Sequence, residues 1–475
     1  MRGLNPEYKV ILFLFFIAMG LGIGGKVLKP KHSNLNILTP FSKTLDVLSI
    51  FTSNETGEKP KATVYGYLPY WTLDKYKYLQ FDKLTNIAYF GLYIDELGNF
   101  EETQTVPAID EKGEETGQLI DVPNPGFVNW KANENLERVI QKSKKNGVRV
   151  ALTVIAHEDE KNDAFLNCRE CWNTLLMNLA RELDSKEITD VNLNFEYVES
   201  VDPEQAKVFL EFVRYLNSEL DKVYGDSQVV VTTFADSVVQ PRISSEIAGL
   251  GRYSDGLFVM AYDFHTTQSE AAGPVAPIDG KGSFNQYDIR TLVRDYLTQI
   301  PPNKLILGVP YYGYNWVVEK NEPYSKRIEG TDEIGFSKSQ PYDKIMDLLG
   351  GNLKDESEMP VDQLAVLGAE TKAENKAENK DGDKKTEAEV KGVKTFEVIE
   401  PKLQWDELAQ VPWFTYTNPD TGSIRQVYFE NPDSLKVKYK LVNENKLKGI
   451  GIWALGYDGE KNDLWTAINE SFIKD

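Results

Sequence analysis

The 475-residue sequence predicts an α/β protein whose core is a closed (β/α)8 barrel, the TIM-barrel architecture. Compact apolar segments alternate with amphipathic helical patterns along most of the chain, which indicates parallel strands joined by helices. Eight such units fit a closed barrel better than an open doubly wound sheet. No G-x-G-x-x-G turn follows the first apolar segment, so a dinucleotide-binding sheet has little support.

Each predicted strand is an apolar run that reads as buried on both faces. The strands are expected at 64–71, 84–94, 148–156, 190–197, 229–235, 256–265, 305–316 and 449–458. Amphipathic segments lie between many of them, as at 133–146, 172–183 and 203–223. The helical spacing of their apolar residues predicts helices that cover the barrel.

The stretch between the seventh and eighth strands is too long to be a loop. We predict a small α+β insertion over residues 317–448, in which 413–431 forms a hairpin that turns at 419–422. Within the insertion, residues 368–396 are mostly Ala, Glu, Lys, Asp and Asn, with almost no large apolar side chain. Such a segment buries too little apolar surface to order itself, so we predict that it is disordered.

Residues 1–27 combine a short basic region, the apolar run 10–25 and a polar flank, which is typical of a signal peptide or a membrane anchor. An uncleaved anchor is preferred because no Ala-x-Ala cleavage pattern follows; a buried core helix is the alternative. Residues 28–61 read as a polar tether, and 62–475 as the barrel domain with its insertion. We expect an extracytoplasmic protein, membrane-anchored by its N-terminal segment or secreted.

The formal net charge of −20 argues against a nucleic-acid partner, because phosphate binding depends on clustered Lys and Arg. Aromatic residues make up 11% of the chain, which suits sugar stacking and fits a large core equally well. The sequence offers neither a phosphate-binding loop nor a clustered set of metal ligands. We therefore expect no metal and no organic cofactor. Separately, we expect the protein to be a monomer.

Cys168 and Cys171 form a lone C-x-x-C pair. Outside the cytoplasm this spacing favours a local disulfide at the start of a helix. A pair of free thiols is the second interpretation. A metal site needs two further ligands, for which His157 is a weak candidate, and a redox site lacks the βαβ context of such motifs.

The segment 190–197, DVNLNFEY, carries a row of polar residues along a predicted strand. Asn192, Asn194 and Glu196 alternate with apolar residues and therefore share one face. Polar groups in register are costly to bury without partners. The row either faces solvent or points into a site.

In a (β/α)8 barrel the active site lies at the C-terminal ends of the strands. That rule gathers Glu196, Tyr262, Asp263, His265, Tyr312, Trp316, Trp453, Tyr457 and Asp458. Carboxyl groups and aromatic rings on one rim favour a carbohydrate enzyme, since rings stack on sugars and acids transfer protons. We interpret His157 and His265 as loop or core residues and Asp458 as a turn residue.

In four strand motifs the chain resembles glycoside hydrolase family 18. The fourth-strand pattern D-x-x-D-x-D-x-E is approached by TDVNLNFEY, with Glu196 at the position of the general acid. The other motifs are M-x-Y-D at 260–263, G-x-P-x-Y-G at 308–313 and G-x-x-x-W at 449–453. The resemblance spans about 63–465, and the hairpin sequence NPDTGSI looks like the bacterial cell-wall and spore-cortex branch.

The resemblance implies hydrolysis of β-linked N-acetylglucosamine glycans, peptidoglycan or chitin-like, by substrate-assisted retaining catalysis. The residues it implies as catalytic are Glu196, Asn194, Tyr262 and Asp263. The residues it implies as substrate contacts are Tyr67, Phe90, Asn192, Met260, Tyr312, Trp316 and Trp453, with Trp453 as the floor under the reacting sugar.

The chain departs from the family pattern at the acidic positions before Glu196, which are Thr189, Asn192 and Asn194, and in the third strand. Asn194 stands where the family usually has Asp, so it can hydrogen-bond the acetamide but cannot stabilise positive charge as a carboxylate does. Residues 153–156 replace the third-strand pattern S-x-G-G. Because Asn194 replaces the usual Asp, an alternative function stays open, a catalytically weak or silent lectin-like barrel that binds carbohydrate.

Overall fold

The computed structural model describes residues 59–109, 115–197, 200–283, 287–353 and 398–474. The predicted signal or anchor at 1–27, the predicted tether up to residue 58 and the predicted charged segment at 368–396 lie outside the described residues. Among the helices that are described, none is both long and apolar enough to cross a membrane.

The described strands belong to a barrel, an antiparallel sheet and a two-stranded ribbon. They are β1 (Thr63–Pro69), β2 (Asn86–Tyr93), β3 (Thr103–Ile109), β4 (Glu115–Pro123), β5 (Arg149–Ala156), β6 (Asp190–Phe195), β7 (Val229–Phe234), β8 (Gly256–Met260), β9 (Leu305–Pro310), β10 (Tyr312–Val317), β11 (Lys338–Pro341), β12 (Gln404–Asp406), β13 (Val411–Thr417), β14 (Ile424–Phe429) and β15 (Gly449–Trp453).

The described α-helices lie mainly between the barrel strands. They are α1 (Pro125–Ala132), α2 (Glu134–Lys145), α3 (Asp159–Leu166), α4 (Arg169–Lys186), α5 (Pro203–Tyr224), α6 (Ile247–Tyr253), α7 (Ile289–Leu297), α8 (Tyr342–Leu349), α9 (Pro432–Glu444) and α10 (Asp463–Phe472).

Eight parallel strands close the barrel in the order β1-β15-β9-β8-β7-β6-β5-β2. The first and last strands along the chain pair directly, with Thr63 opposite Gly449, so the barrel has no open edge. The predicted (β/α)8 fold is thereby confirmed. Closure buries both faces of each strand, which explains why the segments read as uniformly apolar.

Aromatic side chains fill the interior of the barrel, and a glycine makes room for them. The ring of Phe258 lies 5.9 Å from that of Tyr65 and 4.7 Å from that of Tyr67, measured between centroids. A Cβ atom at Gly451 would lie 2.0 Å from the Phe258 ring. The last strand therefore has a glycine at position 451 because the Phe258 ring leaves no room for a side chain there.

Local sequence signals mark the ends of α5, the helix that follows the polar strand β6. Asp202 caps its N-terminus by accepting a hydrogen bond from the Glu204 backbone N–H at 2.9 Å, and Pro203 occupies the first turn. Gly225 ends the helix with a φ of 74°, in the left-handed region that glycine adopts without strain.

The predicted seventh strand, 305–316, is wrong in its length. Strand β9 ends at Pro310, the backbone N–H of Tyr311 donates to the carbonyl of Trp453 at 2.7 Å, and the chain then enters β10. Strand β10 pairs antiparallel with β11 and β14 and not with the barrel. The insertion therefore begins at Tyr312, earlier than the predicted residue 317.

The insertion is built on a five-stranded antiparallel sheet in the order β11-β10-β14-β13-β12. The predicted hairpin corresponds to β13 and β14, and the Asn418 side chain accepts hydrogen bonds from the backbone N–H groups of Asp420 and Thr421 in the turn. Behind the sheet, Lys438 of α9 forms a buried ion pair of 2.7 Å with Glu430.

Two further features concern the loops around the barrel. Strands β3 and β4 form an exposed antiparallel ribbon between β2 and α1, where no strand was predicted. The sulfur atoms of Cys168 and Cys171 are bonded at 2.01 Å, and Cys168 caps the N-terminus of α4. Of the three readings of the C-x-x-C pair, the structure contains the disulfide at a helix start.

Candidate active site

A cavity of about 320 Å³ opens at the C-terminal ends of the barrel strands. Its volume falls at the small end of the range for small-molecule pockets. Of the residues implied by the resemblance, those that line it are Tyr67, Phe90, Asn194, Glu196, Met260, Tyr262, Asp263 and Trp453. Eight positions from five different strands or strand ends thus converge on one space.

Strand β6 directs its polar row into the barrel. Its apolar residue Phe195 points outward and packs against rings of the surrounding helices, with 5.1 Å between the ring centroids of Phe195 and Phe209. On the inner face, Asn192 has no exposed surface and donates to the carbonyl oxygen of Val230 at 3.1 Å, while Asn194 lies at the cavity. The buried amides therefore have partners, as buried polar groups require.

Glu196, Asn194 and His157 form one hydrogen-bonded group at the cavity. Asn194 Nδ2 donates to Glu196 Oε1 at 2.8 Å and lies 2.8 Å from His157 Nε2. His157 Nε2 lies 3.3 Å from Glu196 Oε1. The Glu196 side chain is 27% exposed, so its carboxyl group is accessible from the cavity.

The pKa of Glu196 lies below its usual range in this arrangement. Burial raises the pKa, but the positive charge and hydrogen bond of His157 and the N–H donor of Asn194 lower it by more. This arrangement therefore favours the carboxylate.

The backbone on both sides of Glu196 is fixed. The backbone N–H of Glu196 donates to the carbonyl of Ala156 at 2.9 Å, and the Asn162 side chain donates to the same carbonyl at 3.1 Å. Tyr197 Oη donates to Asp163 Oδ1 at 2.9 Å. These contacts attach the end of β6 to β5 and α3, so the position of the Glu196 carboxyl group does not depend on a free loop.

Aromatic rings form the floor of the cavity. Trp453 at the end of β15 meets Phe90 edge to face, with 4.8 Å between ring centroids, and Tyr67 at 5.4 Å. Tyr67 Oη is held in turn by Asn192 Oδ1 at 3.0 Å and Thr232 Oγ1 at 2.6 Å. Rings held in this way offer an apolar surface on which a sugar can stack.

Tyr262 and Asp263 follow β8 at the cavity. Burial raises the pKa of Tyr262 well above its ordinary value, so its hydroxyl stays protonated and can donate a hydrogen bond. Asp263 Oδ1 accepts hydrogen bonds from Tyr312 Oη and, at 2.9 Å, from Tyr314 Oη. Both tyrosines belong to β10, so the insertion sheet positions the carboxyl group of Asp263.

Three residues implied as substrate contacts do not line the cavity. Asn192 supports Tyr67 from inside the barrel, and Tyr312 lies behind Asp263 with 2% of its surface exposed. Trp316 has no exposed surface, and its Nε1 donates to the carbonyl of Thr266 at 3.0 Å. Tyr312 and Trp316 are displaced because their strand pairs within the insertion sheet and does not end at the rim.

Other residues line the cavity without having been predicted as site residues. They are His157, Tyr197, Thr232, Phe234, Ala235, Asp236, Arg242, Phe264, Thr266, Tyr287 and Tyr314. His157 follows the last residue of β5, so the rule that sites lie at C-terminal strand ends could have identified it. Tyr314 carries no such signal, because its place depends on how the insertion sheet packs.

Arg242 and Asp236 form a fixed charged pair on the β7 side of the cavity. The Arg242 guanidinium donates to both carboxylate oxygens of Asp236, at 3.1 and 3.0 Å, and lies 4.8 Å from the centre of the Phe234 ring. Across the described ranges, no group of three or more His, Cys, Asp or Glu side chains is arranged to hold a metal ion.

Comparison with known proteins gives matches of modest identity over much of the barrel. The chain is 22% identical to the cortical fragment-lytic enzyme of Bacillus subtilis, over 67% of this chain and 57% of that protein. It is 25% identical to the di-N-acetylchitobiase of Rattus norvegicus, over 65% of this chain and 70% of that protein. Against YdhD of Bacillus subtilis the identity is 24%, and the chain spans about half of that relative, 52% of its length.

Solved structures share the fold. The Group IV chitinase of Ostrinia furnacalis superposes with a TM-score of 0.62 at 17% identity, covering 86% of this chain and 99% of the chitinase. The profile of the family named Glycosyl hydrolases family 18 matches residues 63–458, which include the barrel, the insertion and every motif described above. The chain therefore belongs to glycosyl hydrolase family 18, as its strand motifs predicted.

Proposed function

We propose that the protein hydrolyses glycans containing β-linked N-acetylglucosamine, of the peptidoglycan or chitin-like class, by substrate-assisted retaining catalysis. The observation that carries this proposal is the convergence of Glu196, Asn194, Tyr262 and Asp263 on one cavity above the ring of Trp453. Relatives named as a chitobiase and a cortical fragment-lytic enzyme, together with a chitinase of the same fold, support this substrate class.

In the first step Glu196 gives its proton to the glycosidic oxygen, and the bond from that oxygen to the anomeric carbon breaks. The carbonyl oxygen of the substrate's own 2-acetamido group forms a bond to the same carbon, which gives a cyclic oxazolinium ion. In the second step the Glu196 carboxylate takes a proton from water, and the water oxygen opens the ring. The anomeric configuration is therefore retained.

The remaining residues orient the acetamide group. The protonated hydroxyl of Tyr262 can donate to the acetamide carbonyl, and the amide oxygen of Asn194 can accept from the acetamide N–H. Asp263, held by Tyr312 and Tyr314, supplies negative charge near the oxazolinium ion. Because these groups are placed before the sugar binds, they need little rearrangement as charge develops.

The lowered pKa of Glu196 sets a condition on this mechanism, since the acid step needs a protonated carboxyl group. Burial is the contribution that raises this pKa, and a sugar that fills the cavity removes water from Glu196. We therefore expect a bound glycan to favour the protonated acid.

A carbohydrate-binding protein without turnover is the second candidate. Two observations favour it: the neutral amide of Asn194 beside the acid, and the lowered pKa of Glu196. The aromatic floor would serve binding and catalysis equally. A test of whether Glu196 catalyses hydrolysis therefore distinguishes the two candidate functions.

The apolar run at 10–25 supports the further proposal that the protein works outside the cytoplasm, anchored or secreted. We also propose that it acts as a monomer. Fractionation of cells that express the full-length chain would separate an anchored form from a released one, and gel filtration would give the oligomeric state.

To test the proposed function, turnover of a fluorogenic N-acetylchitooligosaccharide and of purified peptidoglycan is measured for the full chain. Glu196→Gln should lower kcat by roughly 100- to 10,000-fold, the usual contribution of a general acid. Glu160→Gln, an exposed residue on α3, is the matched control and should retain full activity. Proton NMR should show the β-anomer as the first product.

The opposite result would identify the binding protein. If neither the wild type nor Glu196→Gln cleaves either substrate, while both bind the oligosaccharide saturably, the enzyme proposal is wrong.

A further inference from the structure

The hydrogen bonds among Asn194, His157 and Glu196 constrain the protonation of the Glu196 carboxyl group. An amide NH2 group has two hydrogens. The Nδ2 atom of Asn194 lies 2.8 Å from Glu196 Oε1 and 2.8 Å from His157 Nε2, so each hydrogen has one acceptor when the imidazole is neutral. The amide oxygen of Asn194 then remains available to a ligand.

A charged imidazole changes this arrangement. Once Nε2 carries a proton it can no longer accept from Asn194, and it donates instead to Glu196 Oε1, 3.3 Å away. In that state the ion pair favours the carboxylate, and the acid has lost its proton. The protonation of His157 and that of Glu196 therefore exclude each other in part, which is the behaviour of a coupled pair.

The surroundings leave His157 as the cation that acts on Glu196. The groups around the pair are Tyr93 of β2, Tyr67 of β1, Tyr197 after β6, Tyr262 and Asp263 after β8, and Glu101, Glu158 and Lys161 on the side of α3. Lys161 is engaged with Glu101 at 2.7 Å and Glu158 at 2.8 Å. Among the described residues, His157 is the one basic group within ion-pair distance of Glu196.

From this geometry we infer that His157 is a positioning residue of the site: it orients the Asn194 amide and decides whether Glu196 carries the acid proton. The inference rests on the proposed function and deepens it, because it assigns to an imidazole the regulation of the general acid.

The experiment follows the ionisation of Glu196 directly, without substrate. The full-length chain is labelled with 13C at glutamate side-chain carboxyl carbons, and the Glu196 signal is assigned by its absence in Glu196→Gln. In the wild type we expect two titration steps, because the pair ionises in two stages. Glutamine at position 157 accepts a hydrogen bond but carries no charge. In His157→Gln we therefore expect a single step, with its midpoint about 1 pH unit above the first step of the wild type.

His265→Gln is the matched control, because that imidazole bonds to the carbonyl of Pro274 and takes no part in the group. It should leave the titration of Glu196 unchanged. Where turnover is measurable, kcat/KM should fall with rising pH in two steps for the wild type and in one for His157→Gln.

The inference is overturned if Glu196 titrates alike in the wild type and in His157→Gln. A protein that shows the shift but cleaves no glycan leaves the inference standing and refutes the proposed function instead. A second variant, His157→Asn, guards against a folding defect: if it is folded by circular dichroism, it too must show a single, raised step.

Discussion

Asp458, just after β15, is a carboxylic acid in an almost fully enclosed position, with 1% of its surface exposed. Burial raises its pKa to about 7; the nearby Asp343 carboxylate adds to the rise, and Lys75 opposes it. An unfolded chain would ionise the same group near its ordinary value of about 4. The folded state therefore binds a proton that the unfolded state releases between these two pH values.

This difference predicts a pH-dependent stability. Because the folded pKa is raised, the contribution of Asp458 to the free energy of unfolding falls as pH rises from about 4 to 7, and the penalty is complete above pH 7. Asp458→Asn should remove the penalty and stabilise the protein at pH 8, by up to about 4 kcal/mol. Urea unfolding at pH 5 and pH 8 measures the effect.

Asp74→Asn, at an exposed position, is the control. The difference in its free energy of unfolding between pH 5 and pH 8 should equal that of the wild type. An equal gain for Asp458→Asn at pH 5 and pH 8 would contradict the assignment.

Single residues also show how far motifs predict a site. Glu196, Asp263 and Trp453 could be placed because each lies at or shortly after the end of a strand, and the ends of parallel strands meet at one rim. His157 obeys the same rule but was interpreted as a loop or core residue, because an isolated histidine carries no motif of its own; the structure places it at the cavity. Its role depends on the amide of Asn194 at 2.8 Å, a contact between residues 37 positions apart that no local pattern encodes.

At the scale of elements, strand β10 joins the insertion sheet to the active site. Tyr312 and Tyr314 lie two residues apart on this strand, and both hydroxyls reach Asp263 Oδ1. The glycine between them, Gly313, has no room for a Cβ atom, which would lie 2.3 Å from the Tyr428 carbonyl oxygen of β14. The close packing of β10 on β14 therefore fixes the two hydroxyls that hold the carboxyl group.

Removing one of these hydroxyls should weaken catalysis more than folding. In Tyr314→Phe the carboxyl group of Asp263 keeps Tyr312 but loses a donor at 2.9 Å. We expect kcat/KM to fall about tenfold, since a hydrogen bond to a charged group is worth roughly 1.5 kcal/mol or more. The melting temperature should change little, and steady-state kinetics with differential scanning calorimetry provide both readouts.

Tyr215→Phe is a matched control, because its hydroxyl donates to Asn173 on the helical surface and neither residue lines the cavity. A tenfold loss in that variant as well would show that the effect of Tyr314→Phe is not specific to the site.

The predicted strands were reliable in number and order but too long at their C-terminal ends. Predicted strands ended at 197, 265 and 458, whereas β6, β8 and β15 end at Phe195, Met260 and Trp453. Apolar and aromatic residues continue past each end because they line the cavity and pack under loops, so composition does not mark where pairing stops. The ribbon of β3 and β4 was missed for a different reason: it contains no compact apolar run, and its residues are largely exposed.

At the scale of the whole molecule, the direction of the barrel strands separates the site from the two ends of the described domain. Each barrel strand starts on one face and ends on the other, where the cavity opens. The backbone N–H of Lys61, just before β1, donates to the carbonyl of Phe472 at the end of α10, at 2.8 Å. The two ends are therefore neighbours on the face opposite the cavity.

This arrangement predicts how attachment affects activity. Protein fixed to a bead through a tag after residue 475 should cleave peptidoglycan as fast as free protein, to within about twofold, because the cavity stays open. Protein fixed through Leu119→Cys, on the exposed ribbon that follows β2, should cleave the polymer more slowly but keep its activity on a short oligosaccharide. Equal rates on the polymer in both orientations would contradict this geometry.

The hydrogen bond between Lys61 and Phe472 has one more consequence, for chain connectivity. Two ends that already touch can be joined by a short peptide without crossing the cavity, and new ends can then be opened in a surface turn such as the one between β13 and β14. The order in which the eight barrel strands leave the ribosome therefore does not determine the fold. We expect a circularly permuted chain that begins at another strand to form the same closed barrel.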